Sequence, residues 1–205
     1  MFHSEFIVKS VGIHSTDENT EEGESYRLIN GILHPKNVVD QLVQQGVSHY
    51  VTLPDSETAH MYEALMAEPS ITVVPVSREG EAIPVAAGLF IAGQNPVISI
   101  QNAGLYEAGD SLRGLALGVG LPLVMFIGYR GHNRKGDTPD SAATILEPFL
   151  HLWRVDYFVV ESDEDLDRVP LAFDRAARTN QPVAVAIGTE YAKEETAEIV
   201  TGGAG

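Results

Sequence analysis

Six short apolar runs punctuate the chain, at residues 50–53, 71–76, 97–101, 121–127, 157–160 and 183–187, and stretches of helical spacing separate them. The runs are apolar throughout instead of alternating. Strands read this way when both faces of a parallel sheet are covered. The alternation predicts a doubly wound α/β fold, a six-stranded parallel sheet with helices on both faces.

The segments between the runs agree with this. Val38, Val39, Leu42 and Val43 share one helical face, and Gly46 can end that helix. Ser56 can N-cap the next helix, in which Ala59, Tyr62 and Met66 fall on one face. A small-residue helix is expected over about 80–93, another near 104–119, a short one over 144–150 and a last one ending near Thr179. Pro84 is placed in a first helical turn, where its missing N–H is harmless. Pro170 requires the last helix to start near Asp167 or to break there.

Residues 31–192 form the expected domain, and 205 residues suffice for one well-packed domain but not for two. Residues 1–30 read as a peripheral, partly mobile segment, in which Phe6-Ile7-Val8 can make a short strand and the acidic stretch 15–24 is solvated. Residues 193–205 read as a flexible tail.

Lys and Arg total 13 against 29 Asp and Glu, a formal charge of −16. Such a surface repels nucleic acid and anionic membranes, so neither is an expected partner. An anionic substrate must instead be drawn in by a local basic patch. The absence of cysteine excludes disulfides, thiolate catalysis and thiolate metal sites. Met1-Phe2-His3-Ser4-Glu5 lacks the basic and apolar regions of a signal peptide. No apolar run approaches the ~20 residues of a membrane span. A cytoplasmic location is the expectation.

The sharpest candidate is Glu79, in Ser77-Arg78-Glu79-Gly80-Glu81-Ala82, between an apolar run and a small-residue helix. A carboxylate at the carboxyl end of a buried strand lies where open α/β sheets bind ligands. The bland reading is an acid that complements the helix dipole. Asp55, in Leu53-Pro54-Asp55-Ser56, follows the first strand and is either a general acid/base or a turn and capping residue. Gln101 and Asn102 end the third strand, as pocket amides or as turn chemistry. The loop Tyr129-Arg130-Gly131-His132-Asn133-Arg134-Lys135-Gly136 concentrates basic groups. It can grip an anion through Arg130 and His132, or it is a solvated or salt-bridged loop. His60 is a second proton carrier or a surface histidine.

Four segments in order carry a resemblance: Leu53-Pro54-Asp55-Ser56, Arg78-Glu79 before its helix, Gln101-Asn102-Ala103-Gly104-Leu105, and Gly128-Tyr129-Arg130-Gly131. Together they resemble the pyrimidine-binding (Pyr) half of thiamine-diphosphate enzymes, in particular the decarboxylases of sulfopyruvate and phosphonopyruvate. The resemblance covers about residues 32–190. It implies that Glu79 hydrogen-bonds a pyrimidine ring nitrogen of thiamine diphosphate, with Glu81 as the competing acid. It further implies that Asp55 lies near the substrate, that Gln101 and Asn102 line the cofactor pocket, and that Arg130 faces the substrate's anionic end.

In the resembled enzymes a second, homologous domain carries Gly-Asp-Gly and a distant Asn, which hold the diphosphate and its Mg2+. This chain has no Gly-Asp-Gly, and Ala108-Gly109-Asp110-Ser111 lacks the second glycine. The resemblance therefore implies a Pyr-type subunit that acts with a partner subunit of the diphosphate-binding (PP) type. That partner carries the Mg2+, the assembly is a hetero-oligomer, the substrate is a small 2-oxo acid, and no metal ligand is assigned to this chain. The chain departs from the resembled pattern at Glu107 and Asp110, where those enzymes carry amides. Carboxylates facing the pocket there would disfavour a doubly charged substrate. Two other readings remain: a noncatalytic homologue that stabilises or regulates a partner, and a freestanding nucleotide-binding domain. The latter is weakened by the lack of a Gly-x-Gly-x-x-Gly turn or phosphate loop.

Overall fold

The predicted parallel sheet is present. The computed structural model describes residues 31–55 and 59–192. Its six strands are β1 (His49–Thr52), β2 (Thr72–Pro75), β3 (Pro96–Gln101), β4 (Val124–Gly128), β5 (Asp156–Val160) and β6 (Val183–Ile187). All neighbours pair in parallel, in the order β2–β1–β3–β4–β6–β5. β6 is buried at every residue, and β3 and β4 at all but their last. β2 and β5 are edge strands and are only partly covered. An edge position also accommodates Pro75, which has no N–H to give to a ladder.

The helices are α1 (Pro35–Gln44), α2 (Ala59–Met66), α3 (Glu79–Ile91), α4 (Asn102–Glu107), α5 (Gly109–Ser111), α6 (Ser141–Trp153) and α7 (Arg168–Thr179). They divide the core into two layers. Ala82, Ile83 and Ala86 of α3 and Leu146 and Leu150 of α6 pack with Val51, Ile98 and Met125 on one face. Leu42 of α1, Met61 and Leu65 of α2 and Ala172 of α7 pack with Tyr50, Val97 and Phe126 on the other. The chain runs outward from β1 to β2 through α2, then back across β1 to β3 through α3. Right-handed crossovers in opposite directions put those two helices on opposite faces. The carboxyl ends of β1 and β3 therefore border a topological switch point, the crevice in which such sheets bind ligands.

Four local expectations are corrected. In α2 the inward residues are Met61 and Leu65, while Tyr62 and Met66 are exposed. The helix is apolar on several sides, so spacing alone does not select its buried face. Pro84 is the sixth residue of α3, beyond the first turn. Its missing N–H orphans the carbonyl of Gly80, and the hydroxyl of Ser111 donates to that carbonyl at 3.0 Å. The helix expected near 104–119 is divided at Ala108 and continues from α5 as a π-helical segment, Leu112–Leu117. The wider turn lets Leu112, Ala116 and Leu121 all reach the core. The helix expected over 144–150 runs for 13 residues, because the Asp140 carboxylate caps it by accepting from the Ala142 amide at 2.9 Å. Pro170 falls in the first turn of α7, the first of the two placements expected. The strand at Phe6-Ile7-Val8, the acidic stretch 15–24, the tail 193–205 and the Ser56 cap lie outside the described residues.

Phe126 is 1% exposed and sits on central strand β4. Phe126→Ala should lower unfolding stability by about 3–5 kcal/mol. Urea denaturation would show a reduced midpoint at an unchanged slope.

Candidate functional site

Glu79 is the first residue of α3, directly after the turn that leaves β2. Its side chain crosses to the start of α4. A Cβ at Gly104 would stand 2.3 Å from Glu79 Cγ and 2.7 Å from its Oε1. Glycine at 104 therefore provides the space in which this carboxylate lies. Among the described residues Glu79 makes no hydrogen bond or ion pair. Its neighbour Glu81 is committed, since it turns back and accepts from the Ser77 amide at 3.1 Å. Of the two acids weighed from the sequence, Glu79 is the one whose oxygens remain available to a ligand.

Asp55 and Gln101 meet at the switch point. The Gln101 side-chain amide donates to Asp55 Oδ2 at 2.9 Å. Behind them the polar residues Thr52 and Ser99 lie buried in register on β1 and β3. Burial pushes the Tyr50 phenol well above its ordinary pKa, and the nearby Asp55 charge adds to the shift. Tyr50 thus stays a neutral neighbour of the carboxylate.

Asn102 is fully buried and its side chain acts locally. It donates to the Arg130 carbonyl at 3.0 Å and accepts from the Ala103 amide at 2.8 Å, tying the start of α4 to the loop after β4. Arg130, His132 and Arg134 of that loop are paired with acids of the chain itself. Arg130 donates to Asp140 at 3.2 Å. His132 Nε2 lies 2.9 Å from Glu161 Oε1, and Arg134 Nε lies 2.9 Å from Glu161 Oε2. Tyr129 stacks on the His132 ring with centroids 4.4 Å apart. Burial raises the Glu161 pKa, but the hydrogen bonds from Arg134 and His132 outweigh it and hold the carboxyl below its usual range. Sequence reasoning missed Glu161. The available signal was its position directly after the fifth apolar run, close to the placement of Glu79, which lies three residues past the second.

The two acids that depart from the resembled pattern also have partners. Glu107 bonds to Arg78 and accepts from the Gly80 amide at 2.5 Å. The Arg78 contact holds its carboxyl below the usual range. Asp110 is exposed and pairs with Arg113 at 2.5 Å. Among the described residues no three His, Asp or Glu side chains converge as a metal site, and no helix is long and apolar enough to cross a membrane.

A doubly wound sheet that presents an unengaged carboxylate beside its switch point defines an α/β ligand-binding domain. The family model described as thiamine pyrophosphate enzyme, N-terminal TPP binding domain, matches residues 36–144, and the chain belongs to that family. Sulfopyruvate decarboxylase subunit alpha of Methanothermobacter thermautotrophicus is 30% identical over 151 residues, covering 71% of this chain and 90% of the relative. The subunit of the same name from Methanococcus maripaludis is 22% identical over 156 residues, covering 75% and 93%. Phosphonopyruvate decarboxylase of Streptomyces viridochromogenes is 28% identical over 103 residues, covering 50% of this chain and 26% of that protein. The residues present suit the family's cofactor: among the described residues the Glu79 carboxylate makes no hydrogen bond, and glycine at 104 leaves the space in which it lies.

Gly104→Ala separates stability from function. Alanine favours a helix over glycine by up to about 1 kcal/mol, so thermal denaturation should show no loss of stability. The new methyl group displaces Glu79, and thiamine diphosphate affinity of the assembled enzyme should fall roughly tenfold or more, the loss of one charge-assisted hydrogen bond.

Proposed function

We propose that this chain is the Pyr-type subunit of a two-subunit thiamine-diphosphate-dependent 2-oxo acid decarboxylase, a carboxy-lyase nearest in kind to sulfopyruvate decarboxylase, with phosphonopyruvate decarboxylase next. The observation that carries the reading is the Glu79 carboxylate laid over Gly104 and, among the described residues, in no hydrogen bond or ion pair. Similarity to proteins named as alpha subunits over nearly their whole length supports the two-subunit arrangement.

Thiamine diphosphate supplies the electron sink that decarboxylation of a 2-oxo acid requires. Glu79 hydrogen-bonds the pyrimidine ring nitrogen and sets its protonation. Asp55, held by Gln101, moves a proton at the substrate. Gln101 borders the cofactor, and Asn102 shapes the same wall by fixing the Arg130 carbonyl. Arg130 and His132 serve the anionic end of the substrate, and a bound anion competes with Asp140 and Glu161 for them. The partner, a PP-type subunit, holds the diphosphate and Mg2+. The assembly is a cytoplasmic hetero-oligomer.

Calorimetry should find weak cofactor binding to this chain by itself and restored binding on mixing with the partner. Tight Mg2+-dependent binding by the isolated chain would sink the split arrangement. In the assembled enzyme Glu79→Gln should slow proton exchange at the thiazolium carbon by at least ~100-fold, and Glu81→Gln should leave it near the wild-type rate. Wild-type exchange in Glu79→Gln would remove Glu79 from its role. Cofactor binding with no turnover of sulfopyruvate, phosphonopyruvate, pyruvate or a bulky apolar 2-oxo acid would instead point to a noncatalytic homologue.

A further inference from the structure

We propose that Glu107, acting with Ser111, is a positioning residue for Glu79. Both grip the peptide units of Gly80, the residue that follows Glu79. The Gly80 amide donates to Glu107 Oε2 at 2.5 Å, and the Gly80 carbonyl accepts from Ser111 Oγ at 3.0 Å. The second Glu107 oxygen bonds to Arg78, the residue that precedes Glu79. The backbone on either side of Glu79 is therefore held by one short segment, residues 107–111.

The need for such a grip lies in α3 itself. Its N-cap residue, Arg78, supplies no side-chain cap. The amides of a first helical turn have no intrahelical acceptor. Pro84 also removes the N–H that would bond the Gly80 carbonyl four residues earlier. Without outside partners both polar groups of Gly80 would lack a bond, and the first turn would be free to fray. Glu107 and Ser111 supply both bonds from the next helical segment. The contact is reciprocal: Glu79 of α3 fills the space over Gly104 of α4, and Glu107 of α4 fills the space over Gly80 of α3. A Cβ at Gly80 would stand 2.8 Å from Glu107 Oε2. The two glycines let the two glutamates interlock, and the interlock fixes the direction in which Glu79 points. The Arg78–Glu107 pair is exposed and adds little to stability, so its effect is on geometry.

The inference rests on the reading of Glu79 as the residue that contacts the cofactor, but its first test does not. In the isolated chain, nuclear Overhauser contacts between the Glu79 γ-protons and the Gly104 α-protons report the orientation of Glu79. Glu107→Ala should weaken them and raise the hydrogen-exchange rate of the Gly80 amide, and Ser111→Ala should act in the same direction. Glu107→Gln keeps a carbonyl oxygen for the Gly80 amide and should preserve the contacts. Gly80→Ala, which displaces the Glu107 carboxylate while strengthening helix propensity, should reproduce the effect of Glu107→Ala in a fully folded chain. In the assembled enzyme Glu107→Ala should slow thiazolium proton exchange roughly 10- to 100-fold, the scale of a misplaced reacting group. Its cofactor affinity should move far less than its exchange rate, and Glu107→Gln should largely rescue that rate. Wild-type Glu79–Gly104 contacts in both Glu107→Ala and Gly80→Ala would overturn the positioning role. If the contacts respond while Glu79→Gln leaves exchange unchanged, the positioning stands and the cofactor reading falls.

Discussion

The parallel pairing of β1 with both β2 and β3 is the constraint on which the site depends. A parallel pair needs a crossover, and the crossovers from β1 to β2 and from β2 back to β3 run in opposite directions, so they place their helices on opposite faces. The carboxyl ends of β1 and β3 then border the crevice between the two connections. Asp55 leaves one of those strands and Gln101 ends the other, so their 2.9 Å contact follows from the topology. Glu79 enters the same region from the neighbouring connection, because α3 begins at the end of β2 and returns across β1. Three residues from distant parts of the sequence thus gather at one edge without dedicated insertions.

Much of the frame was legible because burial on both faces leaves a continuous signal. β6 appears in the sequence as an unbroken apolar run and has the limits that run suggests. Glu79 stood out as a candidate for the same reason, since it lies just past the second run, before a small-residue helix. Partners were not legible. Gly80 and Glu107 lie 27 positions apart, and His132 and Glu161 lie 29 apart. No periodicity links residues that meet at one end of the sheet, each pair following two strands with a third strand between them. The face of α2 failed for a different reason. His60, Met61, Tyr62, Ala64, Leu65 and Met66 surround the helix with mostly apolar groups, and only packing against the rest of the layer selects Met61 and Leu65. Pro84 misled because its position is judged from where the helix begins, and the helix begins at Glu79 itself.

Charge is organised more closely than the overall −16 suggests. Near the carboxyl edge three arginines are each matched with an acid of the same chain: Arg78 with Glu107, Arg130 with Asp140, Arg134 with Glu161. An anion entering this edge meets no unpaired arginine among those three. At any of these three it exchanges one ion pair for another, so the net gain is the difference between two similar terms. Arg130 is the most favourable site for such an exchange. Its bond to Asp140 is long at 3.2 Å, whereas Arg134 shares the partly buried Glu161 with His132. Asp140 would not be stranded by the exchange, because it still accepts from the Ala142 amide.

The same accounting distinguishes the three glutamates whose side chains meet the start of α3, Glu79 and Glu81 of that helix and Glu107 of α4. An N-terminal turn attracts carboxylates because its amides are unpaired and its dipole is positive. Glu81 satisfies the Ser77 amide, and Glu107 satisfies that of Gly80. Each is thereby withdrawn from ligand chemistry, since releasing it would expose a backbone donor. Glu79 caps nothing. It is held in place by shape, against Gly104, and its neighbours are held by hydrogen bonds. A carboxylate fixed through its backbone and its methylenes, with both oxygens uncommitted, can meet a ligand's donor without first breaking a bond of its own. Preorganisation of this kind lowers the free energy of binding by removing a cost that a capping glutamate would have to meet.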